Sequence, residues 1–286
     1  MTKIMGIDVS KHQGTINWTK VKAAGIQFAI IRAGYGRNNI DAQFKRNISE
    51  CNRLGIPCGV YWFSYALNEA EAKKEAEYCL AAIKPYKVEY PVYFDLEYDT
   101  SRYMQQNGVR LTKAIATKHA RAFLSVIEKA GYYAANYANP DYLTRYFDTS
   151  EAGTGNYDLW LANYKANPNL DSPPRACGMW QYSSTGKVDG IVGNVDMNVS
   201  YIDYPTLIRK AGLNGLTTSE AKWTKTTKGW TYGSCKAEWL VYKDHKYYFN
   251  ANGIAVTGLQ LIDGKWYYFA TANDAKKSGL PECSMI

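Results

Sequence analysis

Apolar and polar positions alternate along residues 1–212 in two recurring patterns. Short apolar runs of strand length, IMGIDVS (4–10), QFAIIRAGYG (27–36), PCGVYWFSYA (57–66) and PVYFDLE (91–97), are separated by segments with apolar residues at helical spacing. NWTKVKAAG is one such segment, ended by Gly25. DAQFKRNISECNRLG (41–55) is another, with Asp41 as candidate N-cap and Gly55 as the stop. NEAEAKKEAEYCLAAIK (68–84) is the clearest helix, its acids gathered in the first turn, and TKAIATKHARAFLSVIEKAG (112–131) follows. YYAANYAN, YDLWLANY (157–164) and CGMWQYS (177–183) then read as strands with little helix between them. This order predicts an α/β fold with a mostly parallel sheet, open or closed into a barrel.

In a barrel, functional side chains gather at the C-terminal strand ends. Asp8 ends the first predicted strand, Arg32 the second, Tyr61 and Ser64 the third, and Asp95 with Glu97 the fourth. Within PVYFDLEYD (91–99) the two acids stand at i and i+2, so strand alternation aims both at one face, opposite Phe94 and Leu96. Like charges this close resist ionising together, which raises one pKa and creates the acid and carboxylate pairing that assisted bond cleavage requires. A strand end dipping into solvent, or a metal site, would also explain a bare D-x-E. Polar groups at the same end of four strands build a pocket, and a fraying strand end does not account for that.

The pattern changes after residue 212, where helical periodicity stops and Gly, Thr, Ser and Lys take over. The last 65 residues hold twelve aromatic residues, and Tyr-Tyr-Phe occurs twice, 20 residues apart, in DHKYYFNANG and DGKWYYFATAN. Two copies at a regular period predict stacked β-hairpins with an exposed aromatic surface. Because a solenoid usually needs three or more repeats, docking or a homodimer through this module is expected. The predicted division is a barrel over 1–212, a linker over 213–225 and an aromatic-rich repeat module over 226–286.

Composition narrows the partners. The hydrophobic fraction of 46% and charged fraction of 21% are globular. The net charge of +8 suits nucleic acid, an anionic membrane or an anionic wall polymer, but no Lys/Arg block marks a nucleic-acid site. Six cysteines match no zinc spacing, and with three histidines there is little ligand capacity, so free thiols are expected, with a Cys51–Cys58 bridge as the alternative. No window reaches the ~20 apolar residues that cross a bilayer, and MTKIMGIDVSKHQG lacks a secretory h-region. Synthesis in the cytoplasm is expected, with release through a membrane lesion if the substrate lies outside.

Taken in order, GIDVSKHQG (6–14), IIRAGYG (30–36), DAQFKRN (41–47), GVYWFSYA (59–66), YFDLE (93–97), LWLANY (159–164), MWQYSSTG (179–186) and GNVDMN (193–198) resemble glycoside hydrolase family 25, the lysozymes of bacteria and their phages. The resemblance implies a modified β/α barrel of five strand–helix units followed by strands without helices. It also implies hydrolysis of the β-1,4 bond between N-acetylmuramic acid and N-acetylglucosamine in peptidoglycan. By motif, Glu97 resembles the general acid, Asp95 its partner carboxylate, and Asp8 and Asp196 two further acids at the rim; no metal or other cofactor is implied. Retention through the substrate's own N-acetyl group is the family's usual outcome.

Tyr61, Trp180 and Tyr137 are candidates to line a saccharide cleft or to fill the barrel core. Arg32 is a candidate for a substrate carboxylate or for an internal pair with a site acid, and His12 for second-layer positioning. TGLQLIDGKWYYF (257–269) resembles the choline-binding type of wall module, which makes Trp239, Trp266 and Tyr268 candidate wall-ligand residues. The sequence departs from that type at Leu259, where a Trp is common, and at Lys246, which stands where Trp266 stands one repeat later. Choline, or an anionic wall polymer, is the expected ligand. The expected protein is an endolysin-like muramidase; its rival is a wall-binding protein whose barrel no longer catalyses.

Overall fold

Inward and outward positions separate cleanly along the strands of the first 216 residues. The computed structural model describes residues 3–216, 223–233, 235–243 and 245–286. The chain divides into two compact units, Met1–Thr217 and Thr218–Ile286. In the first unit the order is β1 (Ile4–Val9), α1 (Trp18–Ala23), β2 (Phe28–Tyr35), β3 (Asn39–Ile40), α2 (Phe44–Leu54), β4 (Cys58–Phe63), α3 (Glu69–Ile83), β5 (Val92–Asp95), α4 (Tyr98–Gln106) and α5 (Lys113–Lys129). It continues with β6 (Ala134–Ala138), α6 (Pro140–Arg145), β7 (Asp158–Ala162), β8 (Met179–Gly186), β9 (Val195–Ser200) and α7 (Tyr204–Ala211).

Eight strands close into a barrel in the order β1-β2-β4-β5-β6-β7-β8-β9, and β9 returns to β1. Every neighbouring pair from β1 to β8 is parallel, whereas β9 runs antiparallel to both of its neighbours. Helices follow the first five barrel strands and none lies between β7 and β9, which is the expected modified barrel. Among the described residues no helix is long and apolar enough to cross a membrane.

Strand alternation sorts the core into two layers. On β2, Ala29, Ile31 and Ala33 face the outer layer with the helices, while Phe28 and Ile30 face the barrel interior. The interior row changes character along each strand. Phe28 and Tyr93 fill the end where the strands start, and Arg32 and Asp95 occupy the end where they finish. Gly6 allows this filling, since a Cβ there would lie 2.4 Å from the Phe28 ring. The apolar floor forces polar chemistry to the C-terminal mouth. The six cysteines carry free thiols.

Three local expectations change. Asp41 does not cap α2; the helix begins after Gln43 without a side-chain cap, although Gly55 does end it in the left-handed conformation, φ 66°. The fourth strand stops at Asp95, and Glu97 stands at the start of α4, its backbone N–H donating to Thr100 Oγ1 at 3.3 Å. Residues 213–216, assigned to a linker, are anchored in the first unit. Asn214 accepts the Tyr133 N–H at 2.7 Å and its amide donates to the carbonyls of Val88 and Tyr90 at 3.1 Å. Residues 217–222 of that expected linker lie outside the described residues.

On α3, Glu75 is 2% exposed; its Oε1 accepts the Tyr65 N–H at 2.8 Å while Oε2 has no partner. Burial pushes this carboxyl from 4.5 to about 7. A raised carboxyl favours the folded state fully below its unfolded pKa, and that contribution is lost as pH rises through about 7. Glu75→Gln is therefore expected to remove about 3 kcal/mol of the stability loss between acid and neutral pH. Chemical denaturation across that range checks it; a variant with the parent's slope contradicts the assignment.

In the second unit, three hairpins follow one another: β10 (Trp223–Thr226) with β11 (Gly229–Tyr232), β12 (Glu238–Tyr242) with β13 (His245–Phe249), and β14 (Gly258–Ile262) with β15 (Lys265–Phe269). α8 (Ala272–Ser278) ends the series. Among the described residues the repeat thus has three members where two were expected. The first escaped notice because Thr231-Tyr232-Gly233 stands where the others have the Tyr-Tyr-Phe triplet. The module accordingly starts by Trp223, and residues 223–225, also assigned to the linker, already belong to β10.

Candidate active site

A pocket of about 210 Å³ opens at the C-terminal ends of the barrel strands. Asp8 from β1, Asp95 from the end of β5, Glu97 from the start of α4 and Asp196 from β9 all line it. Asp8 and Asp196 are direct partners in the β1–β9 register, so their side chains leave the sheet on the same face. The site exists because β9 is antiparallel; its first residues, and not its last, reach the mouth.

Asp8 is held from two sides. Its Oδ2 accepts Gln181 Nε2 at 2.7 Å and Asn198 Nδ2 at 2.8 Å, and Asn198 Oδ1 accepts Trp160 Nε1 at 2.8 Å. Asn198 is fully buried, so removing it leaves a buried carboxylate and an indole N–H short of partners. Asn198→Ala is expected to lower unfolding stability by about 2–3 kcal/mol, read as a lower urea midpoint at unchanged m-value. Trp160 forms the pocket floor, its ring packed against Tyr137, Tyr93 and Tyr61 with centroids at 4.7, 5.0 and 5.9 Å.

All four acids are harder to ionise than usual, and burial is the first cause at each. Asp8 is pushed well up by burial and then by Asp196. Asp95, 4% exposed, is pushed well up by burial, then by the charges of Glu97 and Asp8. Glu97 is half-buried and raised by burial, against which the Tyr137 hydroxyl acts. Asp196 rises to about 6. Asp95 and Glu97 influence each other's ionisation, and Asp95 Oδ1 is buried without a hydrogen-bond partner. The more deeply buried Asp95 takes the larger push, so the pair shares one proton weighted towards Asp95. Desolvation, and not mutual repulsion, leads at Glu97. Among the described residues no group of three or more His, Cys, Asp or Glu is arranged to hold a metal ion.

Tyr61, Tyr137, Arg32 and His12 also line the pocket. Arg32 pairs with neither a site acid nor open solvent. Its Nε and Nη2 both lie 2.7 Å from Asp41 Oδ2, and both side chains are buried. Trp180 is a correction. It is 1% exposed, belongs to the outer layer, and donates Nε1 to the Asn163 carbonyl at 2.8 Å. Alternation on β8 turns Trp180 outward and Gln181 inward. Trp160, Gln181, Asn198 and Tyr164 are among the pocket and support residues missed in the sequence, as are Ser10, Gln13 and Phe63, although all fall inside quoted motifs; for the first four the inward parity set by Asp8 and Asp95 was the available signal.

Within the hairpin module, one face of each hairpin turns towards the next. Trp223, Trp230, Tyr242 and Tyr247 line a first cleft of about 340 Å³ with Lys243, His245, Pro281 and Glu282. Trp239, Val241, Lys246, Tyr267 and Met285 line a second of about 370 Å³. Of the three candidate wall-ligand residues, Trp239 lies in a cleft, whereas Trp266 and Tyr268 line neither of these two. They stand on the outer face of the last hairpin, 63% and 41% exposed, because α8 and not a fourth hairpin follows it.

Comparison with known proteins agrees with this geometry. Residues 7–191 match glycosyl hydrolases family 25, and residues 238–279 match the choline-binding repeat. Lysozyme M1 of Streptomyces globisporus is 30% identical over 205 residues, covering 68% of this chain and 67% of that protein. The modular autolysin LytC of Streptococcus pneumoniae has a TM-score of 0.59 at 30% identity over 70% of this chain and 47% of its own, so this chain spans about half of that structure. The cell-wall endolysin of the pneumococcal phage Cp-1, complexed with choline, covers 100% of this chain and 82% of its own with a TM-score of 0.55; at 21% identity this is a likeness of fold. With more than half of its length matched and its four acids gathered in one barrel mouth, the chain belongs to glycosyl hydrolase family 25 and carries a choline-binding repeat after the barrel.

Proposed function

We propose that the barrel hydrolyses the β-1,4 bond between N-acetylmuramic acid and N-acetylglucosamine in bacterial peptidoglycan. The convergence of Asp8, Asp95, Glu97 and Asp196 in one aromatic-floored pocket carries this reading. Glu97 lies beyond the strand end and is less buried than Asp95, so it is the carboxyl a glycosidic oxygen can approach. The shared proton leaves through Glu97 to the departing oxygen as the C–O bond breaks. Asp95, then ionised, orients the substrate's N-acetyl group so that its carbonyl oxygen attacks the anomeric carbon; water later opens that intermediate. Asp8 and Asp196 hold the sugar from the β1–β9 side. Attack by the substrate's own N-acetyl oxygen followed by attack of water at the same carbon implies net retention.

Digestion of purified peptidoglycan followed by borohydride reduction tests the bond. Muramitol is the expected new product; its absence, or glucosaminitol in its place, overturns the reading. Proton NMR of the anomer first released tests retention. The hairpin module is read as the part that keeps the enzyme on the wall. The four rings and the Glu282 carboxylate of its first cleft suit a quaternary ammonium group such as choline. A second copy would stack on the end face formed by Leu259, Leu261, Trp266 and Tyr268, which are cross-strand neighbours and all exposed; sedimentation at two concentrations tests that.

A further inference from the structure

The two clefts of the hairpin module are equivalent by register but differ in their rings and in the partner of their lysines: in the first, Glu282 stands 3.7 Å from Lys225. Counted from the two-residue turns, Trp223 corresponds to Trp239, Tyr247 to Tyr267, and Trp230 to Lys246. The first cleft has its third ring at Trp230, whose indole Nε1 donates to Glu282 at 2.9 Å. Lys225 and Lys243 near that cleft lie over the Trp230 and Tyr242 rings, at 5.2 and 5.5 Å. The second cleft keeps the two rings Trp239 and Tyr267 but has an ammonium at the position of Trp230, and among the described residues no carboxylate lines it. Trp239 is 38% exposed, with its ring edge-on to Tyr267 at 5.0 Å, and Lys246 is exposed.

A quaternary ammonium entering the second cleft would lose two aromatic faces and meet Lys246 without a counterpart of Glu282 among the described residues to offset it. The same walls suit a different guest. The Trp239 and Tyr267 rings accept the C–H face of a sugar, and Lys246 meets an anion beside it. Lys246 is a flexible point charge of the kind that serves a phosphate. We infer that the second cleft binds a sugar phosphate, so that one module reads a cationic and an anionic substituent of the wall at adjacent positions. This inference rests on the reading of the module as a wall-binding unit.

Titration of the full chain, followed by isothermal calorimetry and tryptophan fluorescence, tests it with choline, N-acetylglucosamine 6-phosphate and unphosphorylated N-acetylglucosamine as probes. One equivalent of choline per chain is expected, together with one of the sugar phosphate that choline does not displace, and at least tenfold weaker binding of the neutral sugar. Lys246→Gln, a change at an exposed side chain, should weaken the sugar phosphate at least tenfold and leave choline unchanged. Lys246→Trp should abolish sugar-phosphate binding and add a second choline equivalent. Two choline equivalents on the parent chain, or sugar-phosphate binding indifferent to Lys246→Gln, overturns the inference. If the chain binds choline and wall material but not the sugar phosphate, the second-cleft assignment alone is lost; if it binds neither choline nor walls, the wall-binding reading beneath it falls too.

Discussion

Glu97→Gln is expected to reduce peptidoglycan hydrolysis by about 10²–10⁴-fold, the range associated with loss of a general acid. The substitution keeps shape and removes the proton, and Glu97 sits outside the strand ladder at a half-buried position, so the fold should be indifferent to it. The midpoint of thermal unfolding should match or exceed the parent's, because one of four crowded acids has gone. Reducing-end release and calorimetry on the same preparation separate the two effects. A variant that clears wall suspensions at the parental rate would remove Glu97 from the chemistry.

Asp95→Asn is expected to lower the rate by about 10²–10³-fold, the loss seen when a positioned electrostatic partner is removed, and also to displace the pH profile. In the parent, burial and the facing carboxylates raise both members of the pair. With no carboxyl at 95 to hold the shared proton, the ionisation that remains is that of Glu97, which is raised less than that of Asp95, so the proton is lost at lower pH. The alkaline limb of kcat/KM should therefore move down while the affinity for wall fragments stays near the parental value. A profile with an unmoved alkaline limb would argue that the two carboxyls do not share a proton.

The order of strands and helices was readable because apolar runs of strand length and amphipathic segments differ in period, and capping residues such as Gly55 mark the joins. The four acids were readable because each belongs to a motif at a strand end. Trp180 was misplaced for a reason of parity. A one-residue shift along β8 exchanges the barrel interior for the helix layer, and an indole is at home in either. The partner of Arg32 was hidden because Asp41 also carries a capping signature, and only the closed barrel brings the guanidinium to it. In the module, the first hairpin lacked the aromatic triplet used to find the others. Trp266 is a wall-ligand candidate by its motif alone, and the motif does not say whether another hairpin follows to cover it.

The barrel is closed by its last strand. β9 brings Asp196 and Asn198 to the mouth and pairs with β1, whose Asp8 was laid down nearly two hundred residues earlier. A ribosome-bound chain that has emerged only as far as β8 holds three of the acids and no ring to enclose them. The capacity to cut is thus a late event in the life of each molecule, acquired when the two ends of the barrel meet. A cell that makes this protein is spared partial lytic fragments, since a product truncated before residue 195 should be inert.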